Sequence, residues 1–322
     1  MFNVAYKILL GSTIYTADKS TRLLGLRVNK SLQIPVNSCQ LILSTDKSIS
    51  VQPEDIVKVE LGYKGESKQV FIGKIQQVNW GLETVELVAE SSWIALVTAK
   101  LNLLYEKSTA ANIVNDVAQR LKIKVNKTES GLKFPGYILS DSTSAYSNLK
   151  VLARMSGFDL YANEDDELIF AKYHPKTTHE FQYSQDILAV EIITGKTAIS
   201  GVEVYGESPA SQQGEKTYSW FAKAAVKGSS GESGVMTQRQ FEPTAKTEDL
   251  AAKMAEAFWQ VQLPQKQGWV KVMGNANVKL GDGVRLAGLP QSSGNGDFKV
   301  TGITHALNRH QGFWTKIDLE VV

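Results

Sequence analysis

The strongest constraint on the fold is a short pattern that occurs near both ends of the chain. EDIVKVELGYKG spans residues 54–65 and GDGVRLAGLP spans residues 281–290. In both, an aspartate precedes alternating apolar and polar residues, a pattern typical of a turn followed by a strand. Further matches are VFIGKIQQV at 70–78 with FKVTGITHAL at 298–307, and TVELVA at 84–89 with KIDLEV at 316–321. Because the matches come in one order with similar gaps, we predict that one β-unit occurs twice.

The repeat also bears on the glycine-rich stretch that starts its second copy. A phosphate-binding loop needs backbone N–H groups that converge at a helix N-terminus. The residues that follow, 284–286, instead predict a strand, so we interpret Gly281 and Gly288 as turn glycines. The predicted structural repeat positions are Asp55 with Asp282, Val57 with Val284, Gly73 with Gly302, and Ile75 with Ile303.

The chain divides into three segments of different pattern. Residues 1–98 consist of short alternating runs, which predict a first β-barrel. Residues 99–180 carry two helical stripes, with Ser108 and Ser142 as predicted N-caps, and then a hairpin, so we predict an inserted α+β domain. Residues 181–322 predict a second β-barrel with a long loop at 207–240 and a helix at 247–263. The predicted fold is mainly β, with two similar β-barrel domains related by duplication and an inserted helix-and-hairpin domain.

Composition narrows the function classes. The chain has 322 residues, 43% hydrophobic and 21% charged, which is ordinary for a globular protein. Its 35 basic and 33 acidic residues form no basic stripe, so we predict no dedicated nucleic-acid binding. No segment approaches the roughly 20 apolar residues of a membrane span. Cys39 is the single cysteine, which excludes a disulfide within the chain, and we expect assembly in the cytoplasm.

We predict no catalytic, cofactor-binding or metal-binding residues. Four adjacent acidic residues, 164–167, fall at the predicted hairpin tip, where we expect all of them to be solvated rather than set as general acid and base. The four histidines form two pairs, His174 with His179 and His305 with His310. Zinc requires three or four convergent ligands, which neither pair supplies locally. The chain is therefore predicted not to be an enzyme.

Several stretches together resemble one family. They are FIGKIQQVNW at 71–80, the link and helix at 90–121, the helix, glycine and hairpin at 141–170, NANVKLGDGVRLAG, and FKVTGITHALNRHQGFWTKIDLEV. In this order they resemble the phage late control gene D protein, the baseplate hub of contractile tails. The same module forms the N-terminal part of type VI secretion spike proteins. The resemblance covers nearly the whole chain and ends at Val322 without a needle-like domain, so the spike is expected to be a separate protein.

The resemblance implies a structural role. The family joins a sixfold tail tube to a threefold spike, and three chains with two barrels each would present six similar barrels. The expected partners are two further copies in a homotrimer, a spike protein on one face, a tail tube protein on the other, and other baseplate proteins. The expected location is a phage tail or injection particle. Two alternatives stay open at this stage: a β-rich glycan-binding module and a tail-associated peptidoglycan hydrolase.

Overall fold

The structure, a computed structural model, describes residues 4–17, 22–45, 49–63, 66–196, 198–206, 226–263 and 266–322. Residues 207–225 of the predicted long loop lie outside the described residues. The described chain is mainly β and its sheets are largely antiparallel. Within the described ranges, no helix has the length and hydropathy needed to cross a membrane.

The first strand group lies in the amino-terminal part of the chain. Its strands are β1 Val4–Leu10, β2 Thr13–Thr16, β3 Leu23–Ser31, β4 Ser38–Ser44, β5 Ile56–Tyr63, β6 Glu66–Trp80 and β7 Thr84–Glu90. They are hydrogen-bonded in the order β2-β1-β5-β6-β7-β4-β3. Alternate residues point inward, as Val85, Leu87 and Ala89 of β7 show. These side chains form one buried cluster, which we call the first core.

A helical unit follows the first strand group. Its elements are α1 Ile94–Thr98, β8 Leu103–Thr109, α2 Ala110–Arg120, β9 Val125–Thr128, β10 Lys133–Leu139, α3 Ala145–Ser156, β11 Asp159–Ala162 and β12 Leu168–Ala171. The caps differ from those predicted: Thr109 and Ser144, rather than Ser108 and Ser142, accept the N–H three residues on. The predicted glycine at the end of α3 is confirmed, since Gly157 has φ of 66°.

The remaining elements complete the chain. They are β13 Thr178–Gln182, β14 Ile187–Thr194, β15 Gly201–Tyr205, β16 Lys227–Gly231, β17 Thr237–Phe241, α4 Glu248–Gln262, β18 Lys266–Met273, β19 Gly283–Ala287, a 3-10 turn at Ser292–Gly294, β20 Gly296–Asn308 and β21 Gly312–Val321. β13, β14 and β18–β21 form the second strand group, whose buried side chains make a second core. β16 and all but the last residue of β17 fall within the range predicted as a loop, and the two strands flank β15.

The segment from β15 to α4 packs with the helical unit. Val204 of β15 and Met254 of α4 belong to the same buried cluster as Ile113 of α2. α4 also packs directly against α3. The helix predicted within the segment 181–322 thus buries its apolar stripe against the helical unit and not against the second core.

The two strand groups are joined in one sheet through β20. One edge of β20 pairs with β21, and its carboxyl-terminal half also pairs with β3 of the first group. In this pairing Gly302 lies opposite Ser31 and Asn308 lies opposite Gly25. The sheet therefore runs continuously from β14 at one end to β2 at the other.

Two glycines of the predicted repeat offer a test of local packing. A Cβ on Gly73 would collide with the backbone carbonyl oxygen of Glu90 and with the ring of Phe71, whereas a Cβ on Gly302 would meet the side chain of Asp318. We expect Gly73→Ala to lower the free energy of unfolding by about 1–3 kcal/mol, because a strand backbone cannot move away. Gly302→Ala should cost less, because the Asp318 carboxylate can rotate. Urea unfolding of both variants measures the difference, and equal losses would contradict this explanation.

Candidate functional site

The repeated corner is built in the same way in both strand groups. Asp55 accepts the N–H of Gln52 at 3.0 Å, and Asp282 accepts the N–H of Lys279 at 3.0 Å. Each carboxylate thus bonds the residue three positions earlier and closes its own turn. The predicted equivalence of Asp55 and Asp282 is supported by this shared geometry.

The residue before each aspartate shows which positions correspond across the ladder. Glu54 and Gly281 have φ of 76° and 78°. Their N–H groups donate to the carbonyls of Ile75 at 2.9 Å and Val300 at 3.1 Å. The carbonyl of each aspartate accepts the N–H of that same opposite residue at 2.9 Å. In the ladder, Val300 therefore corresponds to Ile75, and the predicted partner Ile303 is three residues too far along.

The predicted match of Gly73 with Gly302 also differs from the pairing in the ladder. Gly73 lies opposite Val57, but Phe298 lies opposite Val284. The pairing of Val57 with Val284 therefore agrees with the ladder, whereas the pairing of Gly73 with Gly302 does not. Gly73 is required by the nearby Glu90 carbonyl, while Gly302 sits at a break in register, so the two glycines serve different purposes.

Register breaks occur at corresponding places in the two groups. β6 shifts against β7 between Ile75 and Gln77, and β20 shifts against β21 between Val300 and Gly302. Such bulges set the local bend of a sheet. Gly302 consequently corresponds to Gln77.

Six strands of each group share both chain order and spatial order. In the sheet they run β1-β5-β6-β7-β4-β3 in the first group and β13-β19-β20-β21-β18-β14 in the second. β3 and β14 are thus counterparts, as are β6 and β20. One pairing differs, because β1 is antiparallel to β5 whereas β13 is parallel to β19.

The second corner does not provide a phosphate-binding loop. The N–H groups of Gly281, Asp282 and Gly283 all donate to carbonyl oxygens of the chain, at 2.8–3.2 Å. The residues after them enter β19, so no helix dipole is aimed at this loop.

A junction cluster of five polar residues lies where the two strand groups meet the helical unit: Lys30, Gln69, Glu164, Asp165 and Lys279. The ammonium of Lys279 contacts the Glu164 carboxylate. Gln69 donates to Asp165 Oδ1 at 2.6 Å and to the carbonyl oxygen of Glu164 at 3.0 Å. The cluster therefore links β6, the turn between β11 and β12, and the corner before β19.

Burial shapes the electrostatics of the junction cluster. Lys30 is 5% exposed, and its burial lowers its pKa from 10.5 to about 8, against the opposing effect of Glu164. Burial raises the pKa of Glu164, but the hydrogen bond from Lys279 and the charge of Lys30 outweigh it, so this pKa lies below its usual value. Glu164 stays ionised and compensates the two lysines.

The acidic hairpin tip is not uniformly solvated, contrary to prediction. Of the residues at 164–167, Asp165 is exposed and the others are partly buried. Asp166 accepts the N–H of Ser92 at 2.7 Å, and burial raises its pKa. The tip is partly buried because it packs at the junction, a tertiary contact that local polarity does not reveal.

A polar cleft of about 310 Å³ lies beside the junction cluster. Its acidic lining includes Asp159, Glu164 and Asp282. Asp159 pairs with Lys299 at 2.6 Å, and Asp282 pairs with His179 at 2.9 Å. These carboxylates are thus held in structural contacts, which does not fit the contrasting pair that glycoside hydrolysis needs.

The histidines serve separate local contacts. His174 and His310 are exposed, while His305 is fully buried and its Nδ1 lies 3.0 Å from Thr315 Oγ1. Burial holds the pKa of His305 well below its usual value, so it stays neutral. Across the part of the chain that the structure describes, no group of three or more His, Cys, Asp or Glu residues is arranged to hold a metal ion.

Solved structures with similar folds come from tail and secretion systems. The 43 kDa tail protein of prophage MuSo2 from Shewanella oneidensis has a TM-score of 0.71 and 13% identity, covering 98% of both chains. The tail protein from Neisseria meningitidis MC58 has a TM-score of 0.71 and 15% identity, covering 99% of this chain and 97% of that one. An E. coli type VI secretion component, described as similar to the T4 tail proteins gp27 and gp5, has a TM-score of 0.58 and 12% identity, covering 98% of this chain and 76% of that one. The chain therefore shares its fold with tail-related proteins.

Sequence comparison adds the family. No curated protein matches the chain. The family model described as the Alg8 N-terminal domain matches residues 36–309, most of the chain. The chain therefore belongs to the Alg8 N-terminal domain family.

Proposed function

We propose that this protein is a structural hub of a contractile tail or injection machine. In this role it forms a homotrimer that connects a threefold spike to a sixfold tail tube, with further baseplate proteins around it, and is part of the assembled particle. The observation that carries the proposal is the pair of six-stranded sets in one chain with the same chain order and spatial order. The fold shared with tail and type VI secretion proteins supports it.

The repeated strand sets supply a mechanical reason. Three chains with two similar sets would present six nearly equivalent surfaces to the tube. The same three chains keep true threefold symmetry for the spike. A closed cyclic arrangement of this kind needs head-to-tail contacts that repeat around the axis. The role therefore depends on interfaces rather than on a reacting group.

The two alternative functions gain no support from the β18–β21 surface or from the polar cleft. Trp269 and Trp314 are on the β18–β21 surface, but lysine ammonium groups lie 4.9 and 4.1 Å from their ring centroids. Those faces are engaged in cation–π contacts rather than free to stack on a sugar. The carboxylates of the polar cleft are likewise engaged, which disfavours the peptidoglycan hydrolase.

The test is the oligomeric state of the full-length chain. We expect light scattering coupled to size exclusion to give three times the mass of one chain. Class averages of assembled particles should show three copies with six similar rims around the axis. A monomer at every concentration tested and in the particle would contradict the proposed hub.

A further inference from the structure

The contact between β3 and β20 is a template for a second contact. It joins the first strand group to the second within one chain, with Thr304 opposite Asn29. Their side-chain oxygens are 3.0 Å apart, so these two residues lie on the same face of the sheet. The counterpart of β3 in the second group is β14, and the counterpart of β20 in the first group is β6. A second contact of the same kind can therefore form between β14 and β6.

Both counterpart edges are open among the described residues. β6 pairs with β5 through Lys74, and beyond it Gln77–Trp80 pair with β7 alone. β14 pairs with β18 alone and ends the sheet. The match of β14 to β3 is close, because both carry a register shift near their start, at Ile187–Ala189 and Leu23–Gly25.

Apolar side chains are exposed where this contact would form. Leu307 of β20 lies opposite Leu26 and packs against the first core. The hairpin of β6 and β7 is shorter than that of β20 and β21, so the residue at the count of Leu307 is Leu82, which lies in the turn after β6 and is 100% exposed. The counterpart of Leu26 is Val190, which with Ile192 lines a cavity of about 250 Å³ at the open side of the second core.

We propose that the edge of β6 in one copy pairs antiparallel with β14 of a second copy, with Asn79 opposite Ile193 and Leu82 entering the cavity beside Val190. This inference rests on the proposed hub and names the interface that would close its ring. Each chain offers one β6 edge and one β14 edge, so the contact is head-to-tail, and in the proposed trimer three such contacts close the ring. Open strand edges are otherwise a risk for uncontrolled association.

A second copy is the occupant that the structure favours. The chain already forms the corresponding contact once with its own residues, and the counterpart strands carry their register shifts at matching positions. Two apolar residues beside this contact, Leu82 in the turn after β6 and Ile193 on β14, are both exposed in the single chain. The described residues hold no such template for a strand from a different protein.

Paired cysteines in the full-length chain test the register. Asn79→Cys combined with Ile193→Cys should give covalent dimers and trimers on a non-reducing gel after mild oxidation, because directly opposite residues in a sheet have Cβ atoms about 5 Å apart. Asn79→Cys combined with Leu188→Cys is the matched control. Leu188 is also exposed on β14 but is five residues from Ile193, roughly 17 Å along the strand. Each single variant should stay uncrosslinked, because Cys39 is buried.

The outcomes separate the interface from the hub. A trimer by mass that crosslinks at 79–193 and not at 79–188 supports the inference. A trimer by mass without the 79–193 crosslink, or with equal crosslinking of the control pair, overturns this interface and leaves the hub standing. A chain that is monomeric by mass at all concentrations overturns both.

Discussion

Leu82→Asp is expected to dissociate the trimer while leaving each chain folded. Leu82 is fully exposed in the single chain, so the substitution removes no internal contact. In the proposed contact its side chain is buried beside Val190, which is worth about 2 kcal/mol for a leucine. Its loss should weaken each contact by roughly 30-fold, and the effect multiplies over the three contacts of a closed ring. Light scattering over a dilution series measures the change in mass.

The control for this variant is Leu104→Asp. Leu104 is also an exposed leucine, but it lies on β8 of the helical unit, away from both proposed edges. We expect this variant to keep the trimer mass. At concentrations low enough for all three proteins to be monomeric, both variants should have the melting temperature of the wild type. A Leu82→Asp chain with the wild-type trimer stability would exclude Leu82 from the interface.

Lys30→Met is expected to stabilise the folded chain. Burial lowers the pKa of Lys30 from 10.5 to about 8, a shift that corresponds to roughly 3 kcal/mol. Methionine removes the buried charge at similar length, although Glu164 then loses one nearby cation. We therefore expect a net gain of about 2 kcal/mol in the free energy of unfolding at pH 7.

The pH dependence of the difference identifies the cause. Between pH 8 and 10.5 the unfolded chain keeps the Lys30 proton while the folded chain releases it, so the stability of the wild type rises with pH through this window. The advantage of Lys30→Met should therefore be greatest below pH 8 and vanish towards pH 10.5. Lys253→Met, at an exposed lysine of α4, is the matched control. A constant advantage of Lys30→Met across the range would rule out its charge as the reason.

The sequence predicted best what depends on local pattern. The corners at Asp55 and Asp282 were identified because an aspartate before an alternating run has one common use, the closure of a turn. The hairpin of β11 and β12 and the glycine after α3 follow from equally local rules. The predicted duplication remains a prediction, supported by the shared strand order.

Contacts between residues far apart in the chain could not be predicted from the sequence. The sequence pattern pairs Gly73 with Gly302 because both are glycines within strands, but Gly73 lies against a backbone carbonyl and Gly302 lies at a bulge. Nothing local in the sequence shows which core the apolar stripe of α4 joins. For the same reason, the sequence does not show that Leu82, in the turn after β6, is an exposed apolar residue beside an open strand edge. The one available signal was an apolar side chain in an otherwise polar turn.

The pairing of β3 with β20 can form only late in the synthesis of the protein. Asn29 and Thr304 are 275 residues apart. At about 5–20 residues per second, the ribosome leaves the edge of β3 unpaired for roughly 15–55 s. The first strand group thus leaves the ribosome early, but its β3 edge is paired only after β20 has been made. Throughout that interval the same edge can accept β20 from a neighbouring chain, so crowded polysomes should favour exchanged, intertwined products.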